Sequence, residues 1–243
     1  TKQNNKNVMK FSSLVGPWGL LNTSKRIRGY TNNLSYSLGL NYLTQDGWRD
    51  LSHVKQTSFD SHFNYKLSDV SLIKFVFSGL SSPWAADPGG LNIDDVNRIP
   101  RSAWSSNVLN NTGENVSEQR VGAVLKKGFQ NSEIKFKGYT ISRQFRNAIP
   151  GRVVEYDRII NGGSVDFSKY LLADYMTHYV TSGVEIAFQK DRRKNFTNSG
   201  GIATNNIELN QDEKILSTGL YFQDSITFRD WTIVFGSRFD YLY

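Results

Sequence analysis

Hydrophobic and polar residues alternate along much of this chain, and the alternation is clearest near its end. In the segment 216–223 every second side chain belongs to an apolar series that includes Leu220 and Phe222, and the segment 231–241 repeats the pattern with Ile233 and Phe235. Side chains of a β-strand point to opposite faces with a period of two, so both segments predict strands with one apolar and one polar face. The short polar connection 229–230 predicts that the two strands form an antiparallel hairpin.

The same reasoning predicts about eleven strands along the chain. The other nine cover residues 7–14, 20–30, 34–43, 57–67, 72–80, 119–127, 133–145, 163–171 and 179–189. We expect Leu38, Leu40, Phe63, Phe75, Phe77, Leu220, Phe222, Ile233 and Phe235 on one face of the sheet. We expect Asn41, Asp60, Asn64, Tyr221, Arg238 and Asp240 on the other.

The connections between these segments alternate in length. The short ones are 31–33, 68–69, 128–131, 172–178 and 229–230; the long ones are 45–56, 81–115, 146–162 and 190–212. In an up-and-down sheet alternate connections lie at the same edge, so this sequence predicts one trimmed edge and one elaborated edge. Transmembrane β-barrels have this asymmetry, and they also have aromatic residues at both ends of the apolar face. The fold class is therefore predicted to be all-β, an antiparallel up-and-down transmembrane β-barrel segment.

Composition agrees with this interpretation and excludes several others. The 243 residues have a mean hydropathy of -0.46, and no apolar run approaches the roughly 20 residues that a spanning helix requires. Aromatic residues nevertheless make up 13% of the chain, while cysteine is absent, so disulfides and thiol chemistry are excluded. The net charge is +7, but lysine and arginine are scattered rather than clustered, so we expect no nucleic-acid partner.

Five segments together resemble TonB-dependent outer-membrane receptors, which import ferric siderophores and similar scarce nutrients. They are 36–42 with 45–50, the Asp-Pro-Gly-Gly-Leu loop at 87–91, 221–224 and 236–241. The resemblance spans nearly the whole chain, although each motif alone is degenerate. It implies a location in the bacterial outer membrane and a barrel closed by 22 strands.

The chain departs from that family in two ways. Neither the plug domain nor the TonB box of the family is visible before Thr1, and the predicted strands are about half of the 22 that a receptor barrel needs. Residues 1–243 are therefore interpreted as one partial barrel domain, the N-terminal half of the barrel. We expect an open, curved sheet whose first and last strands do not pair. The TonB complex would be a partner through the missing plug, and outer-membrane lipid and lipopolysaccharide would surround the barrel.

Candidate ligand-binding residues lie in the long connections, where tryptophan and arginine occur together. Such groups bind anionic or aromatic ligands, for example a metal chelate, by stacking and by charge-assisted hydrogen bonds. The residues are Trp48, Arg49, Trp84, Arg101, Trp104, Arg146 and Arg152. Packing of one loop against another is the alternative explanation.

The histidines carry less weight. His62 shares the polar face with Asp60 and Asn64, where polar residues are normal in a barrel, and His53 and His178 have no ligand-like spacing. No motif of a catalytic nucleophile is present, so we expect no enzymatic activity, no cofactor and no bound metal.

Two other functions remain open from the sequence. One is a complete small outer-membrane barrel with a lipase-like or porin role, which as a lipase would need a serine and a histidine side by side on the lipid-facing surface. The other is a soluble β-sandwich that acts as a binding module.

Overall fold

The protein, described here over residues 7–243 from a computed structural model, contains one sheet of eleven antiparallel strands in chain order. The strands are β1 Val8–Gly16, β2 Leu20–Thr31, β3 Leu34–Gln45, β4 Val54–Ser68, β5 Ser71–Ala86, β6 Gly113–Gly128, β7 Ser132–Ile149, β8 Arg152–Ala173, β9 Met176–Ser199, β10 Ile202–Phe228 and β11 Trp231–Leu242. The predicted up-and-down all-β architecture is confirmed.

Two of the predicted long connections are strands, and their prediction as loops was wrong. Residues 146–162 lie mostly in β7 and β8, joined by a turn at 150–151, and residues 190–212 lie mostly in β9 and β10, joined at 200–201. Neither segment alternates clearly in sequence: residues 190–194 carry charges on both faces, and in 152–160 the aliphatic residues occur as the adjacent pairs Val153-Val154 and Ile159-Ile160. Backbone pairing stabilises them instead: β8 and β9 are paired without interruption from Arg152↔Thr197 to Ala173↔Met176.

The third long connection, 81–115, is a loop only in its middle. Strand β5 continues to Ala86 and β6 begins at Gly113, and two short helices lie between them, α1 at Ile93–Arg98 and α2 at Ser105–Leu109. Asn92 caps the first helix by accepting a hydrogen bond from the backbone N–H of Asp95. Among residues 7–243 no helix has the length and apolarity to cross a membrane.

Because the sheet is up-and-down, alternate connections lie at the same edge, by which we mean the row of strand ends on one side of the sheet. One edge, which we call the long edge, carries 17–19, 46–53, 87–112, 150–151 and 200–201; the opposite short edge carries 32–33, 69–70, 129–131, 174–175 and 229–230. The predicted sorting of connections between two edges is confirmed. The elaboration of the long edge differs from the prediction, since half of it consists of strands that extend beyond their neighbours.

The apolar face of the sheet is exposed rather than packed in a core. Leu40, Phe75, Leu220 and Phe235 have 52%, 49%, 60% and 59% of their surface accessible. Among the described residues only Val116, Ala148 and Val153 are buried apolar side chains, far fewer than a water-soluble domain of this size would contain. The soluble sandwich is therefore wrong, and we call the apolar face the outward face.

The opposite, inward face is polar and holds the six residues predicted there. Cross-strand register places Asp60 opposite Gly39 and Asp240 opposite Gly219, with Arg26 and Arg238 as their ion partners at 2.8 Å each. Two tyrosine rings on this face cover glycines of the next strand, Tyr139 over Gly162 and Tyr221 over Gly183. An aromatic ring laid across a glycine shields its backbone and fixes the register of the two strands.

The first and last strands do not meet. Among residues 7–243, β1 pairs only with β2 and β11 only with β10, and both strands are exposed along their whole length. The sheet is thus an open shell, as the sequence predicted.

An arginine on the outward face should destabilise the protein in a bilayer. We expect Leu220→Arg to lower the free energy of unfolding by about 2–4 kcal/mol, because a charged side chain at mid-bilayer loses its hydration. Urea-induced unfolding in lipid vesicles measures this. The matched control is Gln223→Arg, on the inward face of the same strand, which should change the free energy by less than about 1 kcal/mol. Equal losses at the two positions would contradict the assignment of faces.

The contact between Tyr221 and Gly183 gives a second prediction. A methyl group added at Gly183 would overlap the end of the Tyr221 ring, whereas one added at Gly138 on the outward face would meet nothing within 4 Å. We expect Gly183→Ala to destabilise the protein by about 1–3 kcal/mol through overpacking, and Gly138→Ala to be close to neutral. Unfolding in vesicles again provides the measurement. If Tyr221→Ala fails to relieve the effect of Gly183→Ala, the overlap is not its cause.

Candidate ligand-binding site

Arg49 fastens the two largest loops of the long edge to each other. Its Nη1 donates to the carbonyl oxygen of Gly89 at 2.6 Å, and its Nη2 donates to those of Ser102 at 2.8 Å and Pro88 at 3.3 Å. Its Nε also donates to Ser102, at 3.1 Å. The guanidinium that the sequence suggested as a ligand contact is therefore occupied by carbonyl groups of the loop 87–112.

Three more of the predicted residues lie in the same layer of loops. Arg101 donates from Nε to the carbonyl oxygen of Trp48 at 3.1 Å, and the backbone N–H of Trp104 donates to that of Pro88 at 2.8 Å. Trp48 and Trp104 are 42% and 40% exposed, so their indole rings remain accessible to a ligand. Trp84 is instead half-buried in β5, where its ring lies against Gly113.

The remaining two, Arg146 and Arg152, lie on the extended strands. Arg146 pairs with Glu155 at 3.2 Å and donates to the carbonyl oxygen of Gly201 at 2.5 Å, while Arg152 pairs with Glu208 at 2.6 Å. Arg146 thus joins β7 to β8 and to the turn at 200–201, and Arg152 joins β8 to β10 across β9. The structure therefore divides the seven predicted residues into a loop group, the half-buried Trp84 and a strand group.

Asn110, at the end of α2, connects the loop group to the strand group. Its side-chain oxygen accepts from the backbone N–H of Gly151 at 3.0 Å, and its carbonyl oxygen accepts from Asn198 Nδ2 at 3.0 Å. Asn198 donates in addition to the carbonyl oxygen of Ile149 at 2.9 Å. The loop layer is therefore hydrogen-bonded to the tips of both extended hairpins, and the long edge forms one connected surface.

A group of ligand-type side chains that the sequence did not reveal lies on the inward face of the extended strands. Arg143 and Phe145 of β7 lie directly opposite Arg158 and Tyr156 of β8. The Phe145 and Tyr156 rings stack with centroids 4.9 Å apart and an interplanar angle of 25°. Each guanidinium lies over the adjacent ring, Arg143 at 5.5 Å and Arg158 at 5.0 Å from the centroid. We call these four residues the arginine–aromatic block.

Two like charges directly opposite each other destabilise a sheet, so the block needs counter-ions. Arg158 makes 2.9 and 2.5 Å contacts to Asp191, which is 2% exposed, and Arg143 lies 3.6 Å from Glu118. The hydrogen bonds to Asp191 raise the pKa of the Arg158 guanidinium. Arg158 is thus hydrogen-bonded closely to Asp191, while the ion pair of Arg143 with Glu118 is longer.

Arg143 and the neighbouring Arg193 each have an unused hydrogen-bond donor. The Nε atoms of both residues are buried and have no partner among residues 7–243. Arg193 lies on the same inward row as Tyr156, next to the block, and pairs with Glu213 at 3.7 Å. An anion that reached these two donors would satisfy hydrogen bonds that the protein leaves unmade.

The sequence carried a weak signal for the block. Arg143-x-Phe145 and Tyr156-x-Arg158 each place a cation and a ring on the same face of a strand. Only the register of β7 against β8 brings the two pairs together, and that register is set by the two-residue turn at 150–151.

Closer to the short edge, the inward face continues as a network of ion pairs around a cavity of about 590 Å³. Its lining includes Lys137, Glu185, Tyr221 and Arg238. Lys137 and the Tyr221 hydroxyl both contact Asp166, and Arg238 bridges Glu185 at 3.1 Å and Asp240 at 2.8 Å. This face presents a polar, charged interior to whatever occupies or passes through the shell.

The histidines do not form a metal site. Among residues 7–243 no group of three or more histidine, aspartate or glutamate side chains could hold a metal ion. His62 lies on the inward face, 4.0 Å from Asp60, as the sequence suggested. His178 lies on the outward face, where it bonds Asp224 at 2.8 Å.

Comparison with known proteins identifies the fold. No protein-family model matches the chain, and no curated protein matches it by sequence. Among solved structures it superposes on the ferric citrate transporter FecA in its unliganded form with a TM-score of 0.77 at 13% identity, over 97% of this chain and 37% of that one. For the open form of the ferric-catecholate import receptor Fiu from E. coli K12 the TM-score is 0.81 at 9% identity, over 98% and 45%. For the siderophore receptor PiuA from Acinetobacter baumannii it is 0.73 at 10% identity, over 98% and 42%.

The architecture is therefore that of an outer-membrane β-barrel, seen over part of its circumference. More specifically, the chain has the fold of the barrel of TonB-dependent receptors, as the resemblance predicted. It spans less than half the length of each of these three receptors.

Removing the Arg49 guanidinium should loosen the loop layer. In Arg49→Met three carbonyl groups lose a charged donor, and each such hydrogen bond contributes about 1.5–3 kcal/mol. We expect hydrogen exchange of backbone amides in residues 87–112 to accelerate at least about tenfold, since 1.4 kcal/mol corresponds to a factor of ten. Arg98→Met is the control, because Arg98 is exposed and pairs, within residues 7–243, only with Asp95 of its own helix. Unchanged exchange in Arg49→Met would mean that the loops are held by other contacts.

Proposed function

We propose that this chain forms part of an outer-membrane importer for a small anionic nutrient such as a metal chelate. The observation that carries the proposal is the arginine–aromatic block, with Arg193 beside it, on the inward face just beyond the bilayer-spanning part of the sheet. A ligand arriving from the long edge would meet flat aromatic surface and unpaired guanidinium donors before reaching the lumen. Stacking and charge-assisted hydrogen bonds would then act on the same molecule.

The proteins of similar fold support the kind of ligand. Their names describe a ferric citrate transporter, a ferric-catecholate import receptor and a siderophore receptor. Citrate and catecholate chelates are anions, and catecholates also contain flat rings, so both match the chemistry of the block. Trp48 and Trp104, exposed in the loop layer, would provide a first contact.

Transport in such a receptor would depend on a plug and on energy from the TonB complex. The charged inward face favours an interior filled by another folded domain, because its ion pairs and its 590 Å³ cavity line a surface too polar to face lipid. The outward face would contact outer-membrane lipid and lipopolysaccharide.

A lipase-like enzyme would need a serine beside a lipid-facing histidine. His178 meets half of this requirement, since it lies on the outward face and bonds Asp224. Among residues 7–243, however, Asp224 is its only side-chain hydrogen-bond partner, and no serine hydroxyl reaches it. Import without enzymatic chemistry is the better supported function.

The block provides the test of this proposal. We expect Tyr156→Leu and Arg143→Gln each to weaken ligand capture by about tenfold, because each removes a stacking or hydrogen-bonding partner worth roughly 1–3 kcal/mol. The assay is TonB-dependent uptake of ⁵⁵Fe supplied as ferric citrate and as a ferric catecholate, in cells whose other iron receptors have been deleted.

Phe136→Leu is the control, since Phe136 is an exposed side chain on the outward face. Uptake should remain at the wild-type level in this variant. Uptake of neither chelate by the wild-type protein would overturn the proposal for this ligand class. Unaltered uptake in both block variants would mean that the ligand binds to other residues of the long edge and not to the block.

A further inference from the structure

A carboxylate lies on the outward face near the short edge, where the surrounding side chains are apolar. Asp224 follows Leu220 and Phe222 on the same face of β10, and its cross-strand neighbours are Val180 and Phe235. Its side chain is 17% exposed. Ionisable residues in such a position are costly in a bilayer, and they usually have a function.

Asp224 uses only one of its two oxygens. His178 Nδ1 bonds Oδ2 at 2.8 Å, and because a carboxylate can only accept, the imidazole is the donor. Oδ1 is buried and has no partner among residues 7–243. A buried, unsatisfied acceptor calls for a hydrogen-bond donor from outside the chain.

A positive charge lies two strands away on the same row. Lys169 of β8 is opposite Val180, which in turn is opposite Asp224, so the lysine and the acid lie on either side of one valine. Strand spacing puts their Cα atoms about 10 Å apart. Lys169 is exposed and takes part in no ion pair among the described residues, so it is available to an anion.

We propose that this surface binds the headgroup of a phospholipid that carries both a phosphate and a primary ammonium group. The ammonium donates to Asp224, the phosphate accepts from Lys169, and the acyl chains lie toward mid-bilayer over Phe167, Val184 and Phe222 on the same face. Complementary charges on the two sides of Val180 determine the orientation of the headgroup. The site is independent of import, so its failure would leave the proposed function intact.

The choice of an ethanolamine headgroup can be tested against two relatives. Phosphatidylcholine has the same charges but no N–H group that could donate to Asp224, and phosphatidylglycerol has no cation. We propose native mass spectrometry of the protein purified from outer membranes, delipidated in mild detergent and titrated with each lipid. The wild-type protein should bind phosphatidylethanolamine about tenfold more tightly than phosphatidylcholine.

Three variants separate the roles of the two side chains. Asp224→Asn should abolish the preference for the ethanolamine lipid over the choline lipid, while Lys169→Gln should weaken the binding of both lipids to a similar extent. The control is Asp212→Asn with Lys190→Gln, an outward-facing acid and lysine pair at the long edge, which should leave the preference unchanged.

Equal binding of the ethanolamine and choline lipids by the wild-type protein would overturn the proposal. Retention of the preference in Asp224→Asn would overturn it as well. Folding of each variant is checked by circular dichroism and by heat-modifiable migration on gels. If Asp224→Asn does not fold, the wild-type comparison of the two lipids together with Lys169→Gln still decides the question.

Discussion

The constraint on which the rest of this structure depends is that backbone N–H and C=O groups must pair with each other inside a bilayer. Lipid offers no hydrogen bonds, so each strand has to be paired along the length that crosses it. The sheet meets this requirement from β2 to β10, with both neighbours of every one of these strands in antiparallel register. Only three apolar side chains are buried among residues 7–243, so the backbone hydrogen bonds between strands hold this structure together in place of the hydrophobic core of a soluble domain.

The same ladder builds the candidate site beyond the bilayer. Strands β7 to β10 do not stop where the apolar face ends at Phe188 and Leu216, but continue as a paired wall toward the turns at 150–151 and 200–201. Because register is preserved along the wall, the rings of Phe145 and Tyr156 meet face to face, and the buried Val116 of β6 lies opposite Phe145. A binding surface made of strands is more rigid than one made of free loops, and it keeps its donors in place before a ligand arrives.

Features that depend on the local sequence of one strand, such as its position and its apolar face, could be predicted. Features that depend on the register between strands could not. The alternation around Leu220 identified strands, faces and the all-β class, because the period of two is a local property. The run 190–194 has charge on both faces, so its strand character comes only from pairing with β8 and β10. For the same reason the opposition of Arg143 and Arg158 could not be seen before the register was known. Arg49 was placed correctly in the long-edge loops, but its guanidinium donates four hydrogen bonds to carbonyl oxygens of the neighbouring loop, a role that needs the folded loop.

Unsatisfied polar atoms show how the two faces differ in what they can bind. On the inward face the buried Nε atoms of Arg143 and Arg193 are donors that find no acceptor among residues 7–243, although the buried Oδ1 of Asn195 beside them is an acceptor that finds no donor there. On the outward face of the described part of the chain, the atom without a partner is Oδ1 of Asp224, an acceptor that lacks a donor. Guanidinium donors are the unused groups at the first site, and a carboxylate oxygen is the unused group at the second. The inward face beside Arg143 and Arg193 is therefore suited to bind an anion. The outward face around Asp224 is suited to bind a group that donates hydrogen bonds. Side chains alternate between the lumen and the lipid with a period of two, and this alternation places two binding surfaces of different chemistry on one sheet.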